Sequence, residues 1–308
     1  MGADSEPIHD IAHLGGVELL TPKFDQSLWY FRDVLGMEVV ERIGPSAYLR
    51  GYGDYATSTL KLTGNALPGV GCVFWRSVSP EAVERRVHAI EQAGLGIGWS
   101  NGDFGRGRSY RFHDPDGHVM EIYASMEKVG NGLPKYNPPP LPSDLVGIAP
   151  PRLDHCLLTA ENVPEIARFM QEALQFRLTE QMVSNEGHQL IVFFERSHQP
   201  HDIAFTRGAS GGLHHFAFWL DSWSEVGRAA DILRMNGIDI DVGPTRHGIT
   251  RGHTIYFFDP VGNRNEVFTG GYKTDCDWET ITWTEDQFGK ALFYYENRVV
   301  DSFVSVYT

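Results

Sequence analysis

The stretch "TIYFFDPVGNRNEVF", Thr254 to Phe268, reads as an aromatic strand, an Asp-Pro-x-Gly turn and a second strand bearing one carboxylate, Glu266. A second version, "RSYRFHDPDGHVMEIY", runs from Arg108 to Tyr123 and places Glu121 at the matching position. An ionised side chain inside an apolar strand is costly to bury unless it is paired or holds a metal. Both glutamates therefore need a partner.

Working outward, the rest of the chain repeats as well. "GVELLTPKFDQSLWYFRDVLGM" from Gly16 aligns with "HCLLTAENVPEIARFMQEALQF" from His155 at an offset of 139 residues. Each is a short apolar strand followed by a helix, with Leu28, Phe31 and Leu35 on one apolar face and Ile166, Phe169, Met170 and Leu174 on the other. "GCVFWRSVSPEAVERRVHAIEQAG" from Gly71 aligns with "HHFAFWLDSWSEVGRAADILRMNG" from His214 at an offset of 143, and the Asp-Pro-x-Gly units follow at 145. The small drift in offset means loop insertions within a duplication. Each unit is too small to bury its own sheet face, so the units are expected to pair and curl around a shared interior.

Length agrees, because 308 residues are long for one core. The expected division is an N-terminal domain over residues 1–135, with modules at about 11–63 and 68–125, and a C-terminal domain over 152–272. A proline-rich connector at 136–151 joins them, and a tail over 273–308, with a helix-like centre, folds back on the second domain. A net charge of −14 disfavours nucleic acid, anionic membrane and anionic substrates, and points to a neutral or weakly acidic small molecule. No apolar run is long enough to span a bilayer, and the acidic start "MGADSEPIHD" is no secretory signal. Three scattered cysteines, Cys72, Cys156 and Cys276, indicate reduced thiols and a cytoplasmic setting.

Setting the two halves side by side isolates the chemistry. The second half holds His155, His215 and Glu266 where the first holds Gly16, Cys72 and Glu121. Two imidazoles and one carboxylate form the ligand set of non-haem Fe(II) oxygenases, and Mn(II) accepts the same set. A single buried histidine is more often a hydrogen-bonded core residue than a ligand, but three polar residues at matched strand positions favour a site. Strand alternation turns the neighbouring His214 to the opposite face; the choice of His215 rests on its match to Cys72 and leaves a one-residue ambiguity.

With those residues in place, the chain resembles the class I extradiol dioxygenases of the catechol 2,3-dioxygenase family. The resemblance lies in "TRHGITRGHTIYFFDPVGNRNE", Thr245 to Glu266, supported by "RLDHCLL", "HDIAF" and "GLHHFAF" in the right order and spacing. It implies the vicinal oxygen chelate fold, an α+β architecture of two domains, each a pair of βαβββ modules forming a partly open barrel. It implies Fe(II) held by His155, His215 and Glu266, with the N-terminal domain non-catalytic. His201 would be the acid–base residue, titrating near neutrality, and His247 and Tyr256 would contact the substrate oxygens. Leu157, Thr250 and Phe303 would line the pocket. The implied reaction is meta cleavage of catechol or a substituted catechol by O2 to a 2-hydroxymuconate semialdehyde, in a homotetramer.

Other readings fit less well. A glyoxalase-type lyase or isomerase leaves His201, His247 and Tyr256 without a purpose, and a hydroxyphenylpyruvate dioxygenase does not share the Thr245–Glu266 pattern. A binding protein on the same scaffold needs no metal, which iron content would expose. His198, in the polar turn "ERSHQPHD", and His253, beside a glycine, read as exposed loop residues, and the arginines of "RGRSYR" as a solvated strand edge.

Overall fold

The computed structural model describes residues 9–129 and 141–308, so residues 136–140 of the expected connector lie outside the described residues. Four βαβββ modules follow one another in chain order. The first comprises β1 (Ile11–Thr21), α1 (Phe24–Trp29), β2 (Glu38–Ile43), β3 (Ser46–Arg50) and β4 (Leu60–Gly64). The second comprises β5 (Gly69–Ser77), α2 (Pro80–Gln92), β6 (Gly96–Ser100), β7 (Ser109–His113) and β8 (Val119–Tyr123). β9 (Arg152–Ala160), α3 (Val163–Glu172), β10 (Arg177–Val183), β11 (Gln189–Glu195) and β12 (Ile203–Arg207) form the third. β13 (Gly212–Trp219), α4 (Trp223–Met235), β14 (Ile240–Arg246), β15 (Gly252–Phe258) and β16 (Arg264–Gly270) form the fourth.

Modules pair through their first strands, β1 with β5 and β9 with β13, both antiparallel. The result is an eight-stranded sheet in the first half and a nine-stranded sheet in the second. The ninth strand is β17 (Ile281–Thr284), which runs parallel to β10. The tail thus contributes a strand before its two short helices, α5 (Phe288–Leu292) and α6 (Asp301–Ser305), where the sequence suggested only a helical centre.

The register reproduces the sequence alignment position by position. His215 faces Leu157 and Ala217 faces both His155 and Glu266. In the first half Cys72 faces Glu18, and Phe74 faces both Gly16 and Glu121. Gly16 occupies the place of His155 for a backbone reason: its φ is +151° and a Cβ there would meet the Thr59 carbonyl oxygen at 2.4 Å.

Strand alternation then sorts the side chains. On β9, Cys156, Leu158 and Ala160 enter the main apolar core, whereas Leu157 joins a separate apolar cluster inside the curled second sheet. The main core spans both halves, with edge-on contacts between Trp75 and Phe176 at 4.8 Å and a contact between Phe31 and Phe216 at 6.1 Å. Phe31, fully buried, lies where α1 widens into a π-turn over Tyr30–Val34. Phe31→Ala is expected to lower stability by about 3–5 kcal/mol, because neighbouring rings cannot collapse into the void. Chemical denaturation of the variant checks it.

The repeated Asp-Pro-x-Gly units tie the halves together. Asp114 grips His118, whose Nε2 donates to the Gly212 carbonyl on β13 at 3.1 Å. In the mirrored turn Asp259 accepts from Asn263 Nδ2, which also donates to the Leu20 carbonyl on β1 at 3.3 Å. Each turn therefore reaches across to a strand of the opposite half.

Candidate metal centre and substrate pocket

Three strands of the second sheet bring His155, His215 and Glu266 to one point. Their ligand atoms lie within 4.8 Å of one another, and all three residues are buried. One carboxylate oxygen, Glu266 Oε2, sits 3.2 Å from the Nε2 atoms of both imidazoles. The other oxygen, Oε1, accepts a 2.5 Å hydrogen bond from the Thr254 hydroxyl, which turns Oε2 inward. Behind His155, the Asp154 carboxylate accepts from Nδ1 at 3.1 Å, so that ring presents Nε2 to the centre.

The electrostatics fit a cation. Burial alone raises the Glu266 carboxyl, but the neighbouring His155 and His215 rings hold it well below the usual carboxylate range. Burial lowers His215 to about 4, leaving it neutral. His155 is also driven down by burial, yet its hydrogen bonds to Asp154 and Glu266 carry it up to about 9. Among the described residues, the ion pairs of Glu266 are all to imidazoles, and no lysine or arginine bridges it.

Glu121 supplies the contrast. Ser109, the counterpart of Thr254, donates to Glu121 at 3.0 Å, but Arg111, the counterpart of Tyr256, forms a salt bridge with that carboxylate. A guanidinium in the first half thus stands where the second half leaves a buried carboxylate facing two imidazole nitrogens. The donor set, two imidazoles and a carboxylate that no described lysine or arginine bridges, fits a divalent metal.

A cavity of about 750 Å³ opens on this point and is lined by all nine residues singled out from the sequence: His155, Leu157, His201, His215, His247, Thr250, Tyr256, Glu266 and Phe303. His201 lies at the entry to β12, its ring centroid 4.0 Å from that of His155, and its buried Nδ1 has no hydrogen-bond partner among the described residues. Burial, then the neighbouring His155, pushes His201 well below 6.5 rather than leaving it near neutrality as the sequence suggested. His247 donates from Nδ1 to the Leu292 carbonyl and accepts at Nε2 from the Tyr256 hydroxyl at 2.8 Å. Gly248 permits that arrangement, since a Cβ would meet the Lys290 carbonyl oxygen at 2.4 Å. Thr250, at φ +56°, donates its backbone N–H to buried Glu180 at 2.8 Å. Leu157 and Phe303 belong to the apolar cluster with Ile191, Phe193, Ile249 and Leu292, which forms the remaining wall.

Some readings need correction. His253 lies on β15, only partly exposed, with its ring against Trp223 at 4.7 Å. Of the arginines in "RGRSYR", Arg106 is buried over the Phe74 ring at 3.6 Å, and Arg111 neutralises Glu121. His198 is exposed, at the cavity mouth. His214 is not simply turned away: it is buried, lines the cavity and touches His215. Sequence reasoning also missed Asp154 and Thr254, although each stands one or two positions from a flagged residue.

Comparison with known proteins gives the family. Residues 11–122 and 152–267 match the family model "Glyoxalase/Bleomycin resistance protein/Dioxygenase superfamily". The chain is 40% identical to the metapyrocatechase of Geobacillus stearothermophilus over 90% of this chain and 87% of the relative. It is 35% identical to a manganese-dependent 2,3-dihydroxybiphenyl 1,2-dioxygenase of Geobacillus genomosp. 3, over 93% and 94%. The crystal structure of the 2,3-dioxygenase LapB from Pseudomonas sp. KL28 superposes with a TM-score of 0.86 at 34% identity, covering 91% of this chain and 99% of that one. The chain has the vicinal oxygen chelate fold and belongs to the glyoxalase/bleomycin resistance protein/dioxygenase superfamily, within it to the metapyrocatechase family of extradiol ring-cleavage dioxygenases.

Proposed function

We propose that His155, His215 and Glu266 hold the divalent metal of an extradiol dioxygenase, with Fe(II) as the ion, and that residues 152–272 form the catalytic domain. The protein cleaves the ring of a catechol beside its diol, consuming O2 and yielding a 2-hydroxymuconate semialdehyde, in the degradation of aromatic compounds. The observation behind the metal assignment is the buried Glu266 carboxylate, which faces two imidazole nitrogens and, among the described residues, no lysine or arginine, beside the bare Nδ1 of His201.

A divalent metal held by His155, His215 and Glu266 would supply Lewis-acid activation of the catechol hydroxyls and of dioxygen. The protein's own groups do the rest. His201, neutral through burial and with its ring lining the cavity, accepts a hydroxyl proton of the substrate and returns it as the ring opens. The Tyr256 hydroxyl, oriented by His247, sets the ring's angle in the pocket. Leu157, Thr250 and Phe303 close the walls and keep out water. Fe(II) is favoured over Mn(II) on the resemblance to the catechol 2,3-dioxygenase family, and the same resemblance supports a homotetramer. Three free cysteines support a cytoplasmic site, and among the described residues no helix is long and apolar enough to cross a membrane.

The test is anaerobic reconstitution with Fe(II) or Mn(II), followed by a panel of catechols scored for oxygen uptake and yellow ring-opened product. Product without oxygen uptake, or neither with both metals, overturns the reading.

Metal uptake should depend on pH with a definite sign. With His155 raised to about 9, its ring is protonated at neutral pH and must lose that proton before Nε2 can hold a cation. Apoprotein prepared by chelation should therefore bind metal more tightly as pH rises, by up to about tenfold per unit for one proton. Calorimetry between pH 6.5 and 8.5 in buffers of different ionisation enthalpy should register proton release on binding.

A further inference from the structure

The geometry points to His214 as a positioning residue that fixes the tautomer of His215 and couples the segment around Phe303 to the metal centre. This inference rests on the proposed role of His215 as a ligand.

Two steps along β13, from Leu213 to His215, stand opposite one step along β9, from Leu158 to Leu157. His214 is thus the extra residue of a β-bulge, a device that re-aims a side chain beside a site. The first half keeps the bulge with Gly71 in that place, between Val70 and Cys72, so an imidazole there belongs to the second half alone. In the bulge His214 is buried, and its ring spans two partners: Nε2 lies 2.6 Å from the Phe303 carbonyl oxygen and Nδ1 lies 2.7 Å from His215 Nδ1.

Hydrogen-bond chemistry settles the direction of this chain. A carbonyl oxygen only accepts, so His214 must present Nε2–H to Phe303. A neutral imidazole has one proton, which leaves His214 Nδ1 as an acceptor. The short contact between the two Nδ1 atoms then requires the proton on His215. His215 is thereby held with Nδ1–H outward and its Nε2 lone pair toward Glu266 Oε2, 3.2 Å away. An orienting partner on the far nitrogen of a ligating histidine is what gives such a ring its basicity and direction.

The chain of bonds ends in a clamped segment. The Phe303 carbonyl lies in the short helix α6, where last-turn carbonyls lack helical partners. Arg264 donates to the Ser302 and Val306 carbonyls at 2.8 and 2.6 Å. Thr308 and Leu213 exchange backbone hydrogen bonds at 2.6 and 3.0 Å, one residue from His214. The segment that supplies the Phe303 pocket wall therefore also sets the orientation of His215.

Two measurements test this. In wild-type protein labelled with 15N-histidine and loaded with Zn(II), His214 is expected as the Nε2–H tautomer and His215 as Nδ1–H with Nε2 bound. The reverse assignment overturns the inference and needs no variant to fold. In titrations with Mn(II), read by the electron-spin signal of the free ion, His214→Leu should weaken binding about 10- to 100-fold, whereas His214→Gln should stay within about threefold of wild type. Glutamine spaces an acceptor and a donor much as imidazole does; leucine only fills space. Equal losses in both variants, or none in His214→Leu, would show that the residue merely packs. His215→Ala separates the two claims: Mn(II) binding that survives it removes His215 as a ligand, whereas its loss together with wild-type affinity in His214→Leu removes only the positioning role.

Discussion

Replacing Glu266 by alanine is expected to remove the metal and the ring-cleavage activity together. Glu266 supplies the one formal negative charge among the three converging groups, and its Oε2 lies 3.2 Å from each imidazole nitrogen. Losing a residue that merely orients a ligand costs roughly 10- to 100-fold in metal affinity. Losing the carboxylate should exceed the upper end of that range, and bound metal per chain should fall toward zero. Glu121→Ala is the matched control, because the same position in the first half is neutralised by Arg111 and hydrogen-bonded by Ser109. That variant should keep its full metal content and its oxygen uptake, with at most a loss of stability. Elemental analysis and an oxygen electrode decide it. Metal retained by Glu266→Ala, or lost by Glu121→Ala, would place the centre elsewhere.

The paired glutamates also show what a sequence can reveal and where it stops. The duplication is legible because each module repeats its hydrophobic period and its turn chemistry, and strand register preserved the alignment: Gly16 pairs as His155 does, and Cys72 as His215 does. The function of the Asp-Pro-x-Gly units across the halves was not legible. The bond from His118 to Gly212 spans 94 residues, and that from Asn263 to Leu20 spans 243, distances that local periodicity does not encode. Nor was the role of Arg111, whose charge answers Glu121 only once β7 and β8 are paired. His214 failed for a sharper reason. Alternation assumes an unbroken ladder, and the bulge at this residue breaks it, so the rule that turned His214 away does not hold where the chain departs from regular pleating. His201 shows the same limit in electrostatics: an imidazole's ordinary pKa is near neutrality, but burial against His155 is a property of the assembled site.

His201→Ala is expected to separate chemistry from metal binding. Among the described residues the His201 side chain accepts and donates no hydrogen bond: its Nδ1 is unpartnered, and its ring packs against His155 at 4.0 Å and Phe193 at 5.0 Å. Truncation therefore breaks no polar contact that the fold or the ligands depend on, and metal content should remain at wild-type level. What disappears is the proton acceptor beside the substrate hydroxyl, and loss of a positioned acid–base group costs roughly 10²- to 10⁴-fold in turnover. The pH profile should change in step. Burial and the neighbouring imidazole favour the neutral ring, and a bound dication pushes the same way. Wild-type kcat/KM should thus hold across the neutral range and fall only well below pH 6.5, as the ring takes up its proton. In the alanine variant that acid limb should vanish while the residual rate stays flat. A variant with unchanged kcat would remove His201 from the chemistry, and one that loses its metal would make the residue structural, acting through its packing against His155.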